Sequence, residues 1–432
     1  MSDDASPARP DAEPAPGRRW REDLRLLRQR DLGLVVVSRL VSDIGTGMAP
    51  IALAFGVLTL PGGDASALGL VLLCAAIPRL LFFVVGGVLA DRLDRARLMV
   101  AAEWLAAAAQ LTAATLFVTG HVSVPALAAL AAVNGVAVAL FYPSLTGLVP
   151  QVADDRDLQS ANALIRLSSH LASILGTVLG GALVASVGPG WALAVDALTY
   201  AVSAVLLTLV GARSGMRSDG STSVLTDLVG GWREFSSRRW VWLIVLLFSL
   251  SNMGFTAAVA VLGPVRSLES YGGARGWALV LASFSAGTVA GVLVAMRVRP
   301  SRPLFVAMLA QLVVVLPIAA IAVPLPLAVV AGCAFVSGVA VDVFEVLWQT
   351  ALQQHVPRDA LSRVASYDWL GSMALTPVAL AGAGALAAAI GLSASIWVCA
   401  ALGALSSLGL LDPQVRDLRA GRPVGGMPQP AA

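Results

Sequence analysis

Residues 86–100 read GGVLADRLDRARLMV, with five charged side chains, Asp91, Arg92, Asp94, Arg95 and Arg97, inside seven positions. On either side lie apolar runs too long for the core of a soluble domain. Charges concentrated at such a point mark where a chain leaves hydrocarbon, so the stretch reads as a short loop joining two membrane-crossing helices. The composition agrees: 57% of the 432 residues are hydrophobic, 13% are charged, and the mean hydropathy is +0.81. Charged residues usually make up about 25% of a soluble chain, and a globule of this length cannot bury so much apolar surface. Windows of about 19 residues pick out twelve apolar stretches, at 32–59, 67–90, 98–119, 124–147, 160–187, 191–211, 240–265, 276–296, 303–323, 327–351, 369–390 and 394–411. Each is long enough to cross a bilayer as a helix. The expected fold class is an all-α membrane protein with twelve transmembrane helices.

Orientation follows from arginine, since Lys and Arg concentrate in cytoplasmic loops and all 29 basic residues here are Arg. Arg92, Arg95 and Arg97 follow span 2, Arg156 follows span 4, and Arg213, Arg217, Arg233, Arg238 and Arg239 follow span 6. Arg297, Arg299 and Arg302 follow span 8, Arg358 and Arg363 follow span 10, and Arg416, Arg419 and Arg422 close the chain. The connections after spans 1, 3, 5, 9 and 11 hold none; the one after span 7 holds Arg266 and Arg275. Both termini are therefore expected in the cytoplasm, with the protein in the inner (cytoplasmic) membrane of a prokaryote.

The longest internal connection divides the chain into a basic tail (1–31), a six-helix half (32–211), a linker (212–239), a second six-helix half (240–411) and a closing tail (412–432). Within the linker, ARSGMRSDGSTS (212–223) reads as flexible and VLTDLVGGWREFSSRRW (224–240) as amphipathic. Parallel halves are a transporter plan. Val149-Pro150 leaves span 4 as Val356-Pro357 leaves span 10, and Gly188 ends span 5 as Gly391 ends span 11. In the basic tail, RRWREDLRLLRQR (18–30) sets Trp20, Leu24 and Leu27 at helical spacing among Arg, which suits a helix on an anionic leaflet or a solvated tail.

Several chemistries are excluded. Without lysine there is no Walker-type ATPase and no Schiff-base or Ser-x-x-Lys nucleophile. Cys74, Cys333 and Cys399 lie far apart inside spans, and His121, His170 and His355 form no ligand spacing. No metal site, cofactor or nucleic-acid partner is expected. The partners expected are a small-molecule substrate, protons and the lipid bilayer, with the chain a monomer.

Twelve spans, a six-plus-six division and the opening stretch resemble the major facilitator superfamily. Its loop 2-3 signature runs G-x-x-x-D-[RK]-x-G-[RK]-[RK]. Gly87, Asp91, Arg92 and Arg95 fit it, while Asp94 stands at the glycine and Ala96 at the last basic position. DRLDRARL (91–98), FYPSLTGLVPQVADDRDLQSANAL (141–164) and LWQTALQQHVPRDALSRV (347–364) look like the branch holding siderophore exporters of the enterobactin type and macrolide efflux pumps. The resemblance covers residues 31–411 and implies the major facilitator fold. It also implies that Asp91 faces the start of span 11 and helps hold the outward-open state. A carboxylate at a helix N-terminus gains about 0.3–2 kcal/mol. Arg95 and Arg97 would complete such a latch with Asp154, Asp155 or Asp157; the alternative for this loop is a positive-inside anchor alone. In span 5, Gly176, Gly180 and Gly181 match part of the superfamily's antiporter motif, with Ala163, Ala172 and Thr177 departing from it. Close helix packing by small residues explains the same matches.

Ionisable residues inside spans cost about 2.5–3.5 kcal/mol each on insertion scales and so mark function by default. Span 1 holds Arg39 and Asp43, and span 5 holds Arg166 and His170, each pair four residues apart on one helical face. Arg79 follows Pro78 in span 2, Glu103 lies early in span 3, and Asp196 lies in span 6. Span 10 carries a polar stripe of Asp342, Glu345, Gln349 and Gln353. In the superfamily the cavity is lined by spans 1, 4, 7 and 10, which makes Asp43, Asp342 and Glu345 the candidates for proton coupling. Arg39, Arg79, Arg166, His170 and Gln349 are their embedded partners; acids locked to Arg39, Arg79 or Arg166 as structural pairs are the alternative. The function expected is proton-coupled efflux of a small amphipathic molecule, such as a drug, siderophore or secondary metabolite, by alternating access. Its rivals are a proton-coupled importer on the same fold, a membrane sensor and a polytopic membrane enzyme. No catalytic constellation is present in the sequence to favour the last.

Overall fold

The computed structural model describes residues 26–153, 157–211, 232–298 and 300–419. Among these it is helical throughout, with twelve helices long and apolar enough to cross a membrane. The first half comprises α1 (Arg30–Leu58), α2 (Ala65–Arg92), α3 (Arg95–Thr119), α4 (Val124–Val152), α5 (Leu158–Val187) and α6 (Pro189–Thr208). The second comprises α7 (Arg239–Ser270), α8 (Ala274–Ala295), α9 (Pro303–Ala322), α10 (Leu327–His355), α11 (Arg358–Met373, resuming as Thr376–Ile390) and α12 (Leu392–Leu411).

Local chemistry sets the helix ends. Asp64 and Asp94 are N-caps of α2 and α3, accepting the backbone N–H groups of Ala67 at 2.7 Å and Arg97 at 2.9 Å. Asp94, which stands where the loop signature has glycine, thus has a structural use of its own. Gly188 and Gly391 join α5 to α6 and α11 to α12 with φ of 95° and 84°, a region open to glycine and disfavoured for other residues. The same backbone corner therefore recurs in both halves. Inside α7, residues Ala257–Leu262 form a π-helical turn.

Several sequence boundaries move. Helix α11 starts at Arg358, earlier than the apolar stretch at 369, because residues 358–368 are too polar for a hydropathy window yet contain no helix breaker. For the same reason α4 and α10 run on to Val152 and His355.

Packing repeats six helices later: α2 on α4 as α8 on α10, α3 on α6 as α9 on α12, α1 on α5 as α7 on α11. Between the halves the large contacts are α5 on α8 and α2 on α11, again a matched pair. The two halves are thus related by a pseudo-twofold axis running along the helices. Both ends of the helical chain lie at one end of the bundle. There Gly211 N–H donates to Asp31 at 3.1 Å, Arg239 pairs with Asp412 at 3.0 Å, and Arg302 pairs with Asp417 at 3.4 Å.

The cores show which end is shut. At the end away from the termini one apolar cluster joins the halves, with Ile51, Phe55 and Leu68 packed together with Leu262, Trp277 and Leu380. At the terminal end the cores are separate: Leu32, Met99 and Leu148 in one half, Trp240, Leu304 and Trp348 in the other. The halves are therefore sealed at one end and leave a cleft open at the arginine-rich end. The seal depends on close backbone approach. A Cβ on Gly384 of α11 would stand 2.3 Å from Ser66 N of α2, and one on Gly181 would stand 2.2 Å from Ala278 Cβ of α8.

Candidate functional site

The side chains of Gly87, Asp91 and Arg92, all of Asp154 and Asp155, the tail at 1–25 and the linker at 212–231 lie outside the described residues. Of the loop 2-3 residues that are described, Arg95 donates through Nη1 to the Gly147 carbonyl at 2.6 Å, ahead of the C-terminal turn of α4. A cation there meets carbonyl oxygens at the negative end of the helix dipole. Arg97 is exposed and forms no ion pair with a described residue.

The span 5 glycines lie on two surfaces. Gly176 and Gly180 face α1, where a Cβ would come within 2.0 Å of the Ile44 carbonyl and 2.7 Å of Met48 Cα. Gly181 faces α8, and Thr177 donates to the Gly47 carbonyl at 3.4 Å.

The embedded charges converge in the first half. Arg39 and Asp43 are only 6% and 7% exposed and pair at 2.5 Å, one turn apart on α1. Ser169 of α5 donates to the other Asp43 oxygen. Against this pair lies Glu103 of α3, 2% exposed. Its carboxyl accepts from Ser42 Oγ at 3.2 Å and from Ser203 Oγ at 3.1 Å, and no described cation bonds it directly. The Arg39 guanidinium also stands 5.0 Å from the Phe141 ring and 5.5 Å from the Tyr142 ring, a cation–π arrangement. The site therefore brings one guanidinium and two carboxyl groups into the membrane interior. With both acids ionised the cluster is net negative; one proton makes it neutral.

A cavity of about 280 Å³ opens beside this cluster among α1, α2, α3, α4 and α6. Arg79 lines it together with Arg39, Asp43 and Glu103. Further along, Asp196 is fully buried, taking a 2.6 Å hydrogen bond from Gln110 and leaving Oδ1 unpartnered.

The span 10 stripe lies in the other half. Asp342 is half-buried against Gly291 of α8, with Oδ2 lacking a hydrogen-bond partner. Glu345 is more open and accepts from Gln349 at 2.9 Å. His170 of α5 is within electrostatic range of both Asp43 and Asp342. Arg166 is exposed and forms no ion pair with a described residue.

Glu103 was visible in the sequence as an acid in span 3, with no signal tying it to span 1. Asp368 lies one residue ahead of the apolar stretch at 369–390, so hydropathy does not mark it as an embedded acid. In the structure it lies within α11, 9% exposed, accepting the Trp348 indole N–H at 3.0 Å.

The profile of the Major Facilitator Superfamily matches residues 35–372. The chain belongs to that superfamily. It is a multi-pass membrane transporter acting on a small molecule, rather than an enzyme. Among its relatives, the multidrug efflux pump Tap of Mycolicibacterium fortuitum is 27% identical over 348 residues, which cover 75% of this chain and 82% of that protein. The uncharacterized MFS-type transporter YkuC of Bacillus subtilis (strain 168) is 24% identical over 182 residues, so the match spans only 42% of either length. Among solved structures, a mutant of the nucleoside transporter NupG superposes with a TM-score of 0.74 at 12% identity, covering 88% of this chain and 99% of that one. A bacterial homolog of the human lysosomal transporter Spinster, inward-facing and unoccupied, gives 0.60 at 14% identity over 89% and 98% of the chains. At such identities these structures speak for the fold alone.

Proposed function

We propose that this transporter exports a small amphipathic molecule in exchange for protons, with the Arg39–Asp43–Glu103 cluster as its coupling centre. The observation carrying the reading is the charge count of the three buried groups: the Arg39 guanidinium against the Asp43 and Glu103 carboxyls, balanced when one proton is added, with the exposed Arg79 on the wall of the adjoining cavity. Net charge at membrane depth is costly, so protonation changes which arrangement of the halves is favoured. Asp43 is already held by Arg39 and Ser169, whereas Glu103 has hydroxyl donors alone. Glu103 is therefore the group that carries the proton, with Asp43 keeping the guanidinium in place.

With the arginine-rich end in the cytoplasm, the open cleft is the inward-open state. Substrate loads from that side after the cluster has released its proton. Rocking of the halves carries substrate outward, and a proton taken up outside returns the cluster to neutrality and favours the reverse swing. The 27% identity to a multidrug efflux pump supports export over uptake. Asp342 and Glu345 face the same cleft from the second half and belong to the substrate side of the cycle.

The test uses everted membrane vesicles from cells lacking their own efflux pumps. Uphill accumulation of an amphipathic dye should depend on this protein, collapse with a protonophore and ignore sodium. Accumulation that follows sodium removes proton coupling; dye movement in the opposite sense makes the protein an importer.

A further inference from the structure

A second cavity of about 280 Å³ lies within the second half among α7, α10 and α11, apart from the coupling cluster. Its walls are aromatic. Phe248 and Phe344 stack in parallel with ring centroids 5.1 Å apart, and Trp348 and Trp369 line it with them. Its polar groups are acidic: Glu345 and Asp368, together with Gln349 and Ser372. Among the described residues no Arg or His lines it, and neither acid forms an ion pair.

Acids at membrane depth normally face a cation, a metal or water. The first half obeys that rule through Arg39. The lining of this cavity has no such residue among those described, although its acids are held in defined geometry: Asp368 by the Trp348 indole N–H and Glu345 by the Gln349 amide. What is missing is a positive charge, and what surrounds the gap is π-rich surface, which attracts cations to ring faces.

We propose that this cavity is a binding site for lipophilic organic cations, with Glu345 and Asp368 as counter-charges and Phe248, Phe344 and Trp369 as the wall that receives the apolar body. The site names the substrate class of the exporter and rests on that reading. Both partners in the exchange are then cations held by carboxylates: the proton by an acid of one half, the substrate by the acids of the other.

The test is equilibrium binding of radiolabelled tetraphenylphosphonium to the purified full-length protein in detergent, counting only label displaced by excess unlabelled ion. Displaceable binding is expected at neutral pH. Benzyltrimethylammonium should compete, whereas neopentylbenzene, its uncharged carbon isostere, should not. Glu345→Gln and Asp368→Asn should each weaken binding about tenfold or more, and Trp369→Ala several-fold, in variants that elute as the wild type does. Three results overturn the proposal: no displaceable binding at neutral or alkaline pH, equal competition by the uncharged isostere, or unchanged affinity in Glu345→Gln/Asp368→Asn. Should the acid variants fail to fold, the comparison of charged and uncharged competitors on the wild type decides. Binding needs no ion gradient, so binding without uphill transport overturns only the export reading. Uphill transport of neutral compounds with no cation binding overturns only this one.

Discussion

Glu103 and Gln311 occupy the same place in the two halves, a carboxyl in one and its amide counterpart in the other. Each is almost fully buried, 2% and 4% exposed, and each bonds a serine on the first helix of its own half. Ser42 donates to Glu103 at 3.2 Å, and Gln311 donates to Ser251 at 3.0 Å, with sequence separations of 61 and 60 residues. The fold therefore requires a hydrogen-bonding side chain at this point of the third and ninth helices, and in the second half it does so without an ionisable one.

Glu103→Gln should consequently fold and insert normally. Uphill, proton-driven accumulation should fall about tenfold or more, while exchange of labelled for unlabelled substrate at equal pH stays within about twofold of the wild type, because exchange needs no protonation cycle. Reconstituted vesicles measure both. Wild-type accumulation by Glu103→Gln would move the coupling to Asp43, Asp342 or Glu345, whose Asn or Gln variants belong in the same series.

The Arg39–Asp43 pair should behave differently, because losing Asp43 removes the carboxylate that bonds the buried guanidinium directly. Breaking a buried ion pair from one side costs about 3–5 kcal/mol, whereas replacing both partners with apolar groups is often close to neutral. Asp43→Leu should lower the melting temperature of the purified protein and its yield in the membrane. Arg39→Met added to Asp43→Leu should restore most of the stability and none of the transport. Equal stability of the single and double variants would mean that the guanidinium finds another partner.

Sidedness is open to direct measurement in a background lacking Cys74, Cys333 and Cys399. A cysteine at Ser301, between α8 and α9, should react with an impermeant maleimide only when the cytoplasmic face is exposed. One at His121, between α3 and α4, should react in intact cells. The reverse pattern would invert the orientation and turn the open cleft outward.

The seal predicts its own failure. A side chain at Gly384 meets the Ser66 backbone, so Gly384→Val should disfavour the state described here and shift the population toward one open at the other end. Spin labels placed across the α2–α11 contact should report a longer distance in Gly384→Val than in the wild type. An unchanged distance would mean that α11 yields locally instead of the halves parting.

Much of this architecture was legible without coordinates, because hydrocarbon imposes a length and a polarity on each helix that hydropathy reads directly. The starts of ten of the twelve helices fall within two residues or so of the apolar stretches, and the arginine pattern set the alternation of loops. Where charge and helix overlap, that signal fails: the apolar stretch begins at 369 whereas α11 begins at 358, so Asp368 carries no hydropathy mark.

The site was legible as a set of residues but not as a set of neighbours. Arg39 and Asp43 declared themselves through their four-residue spacing, since a helix brings such residues together by its own geometry. Glu103 has no periodic relation to either, and only the packing of α3 beside α1 brings it to Ser42 and the pair. Nor does any spacing join Glu345 to Asp368 or place Gln311 opposite Glu103 in the pseudo-twofold. Sequence determined the twelve helices, their alternation and the charges they carry into the membrane, because those depend on local transfer energies. Which acid meets a cation and which is left with hydroxyls or aromatic rings was decided only by tertiary packing, since contacts between distant helices depend on how whole surfaces fit.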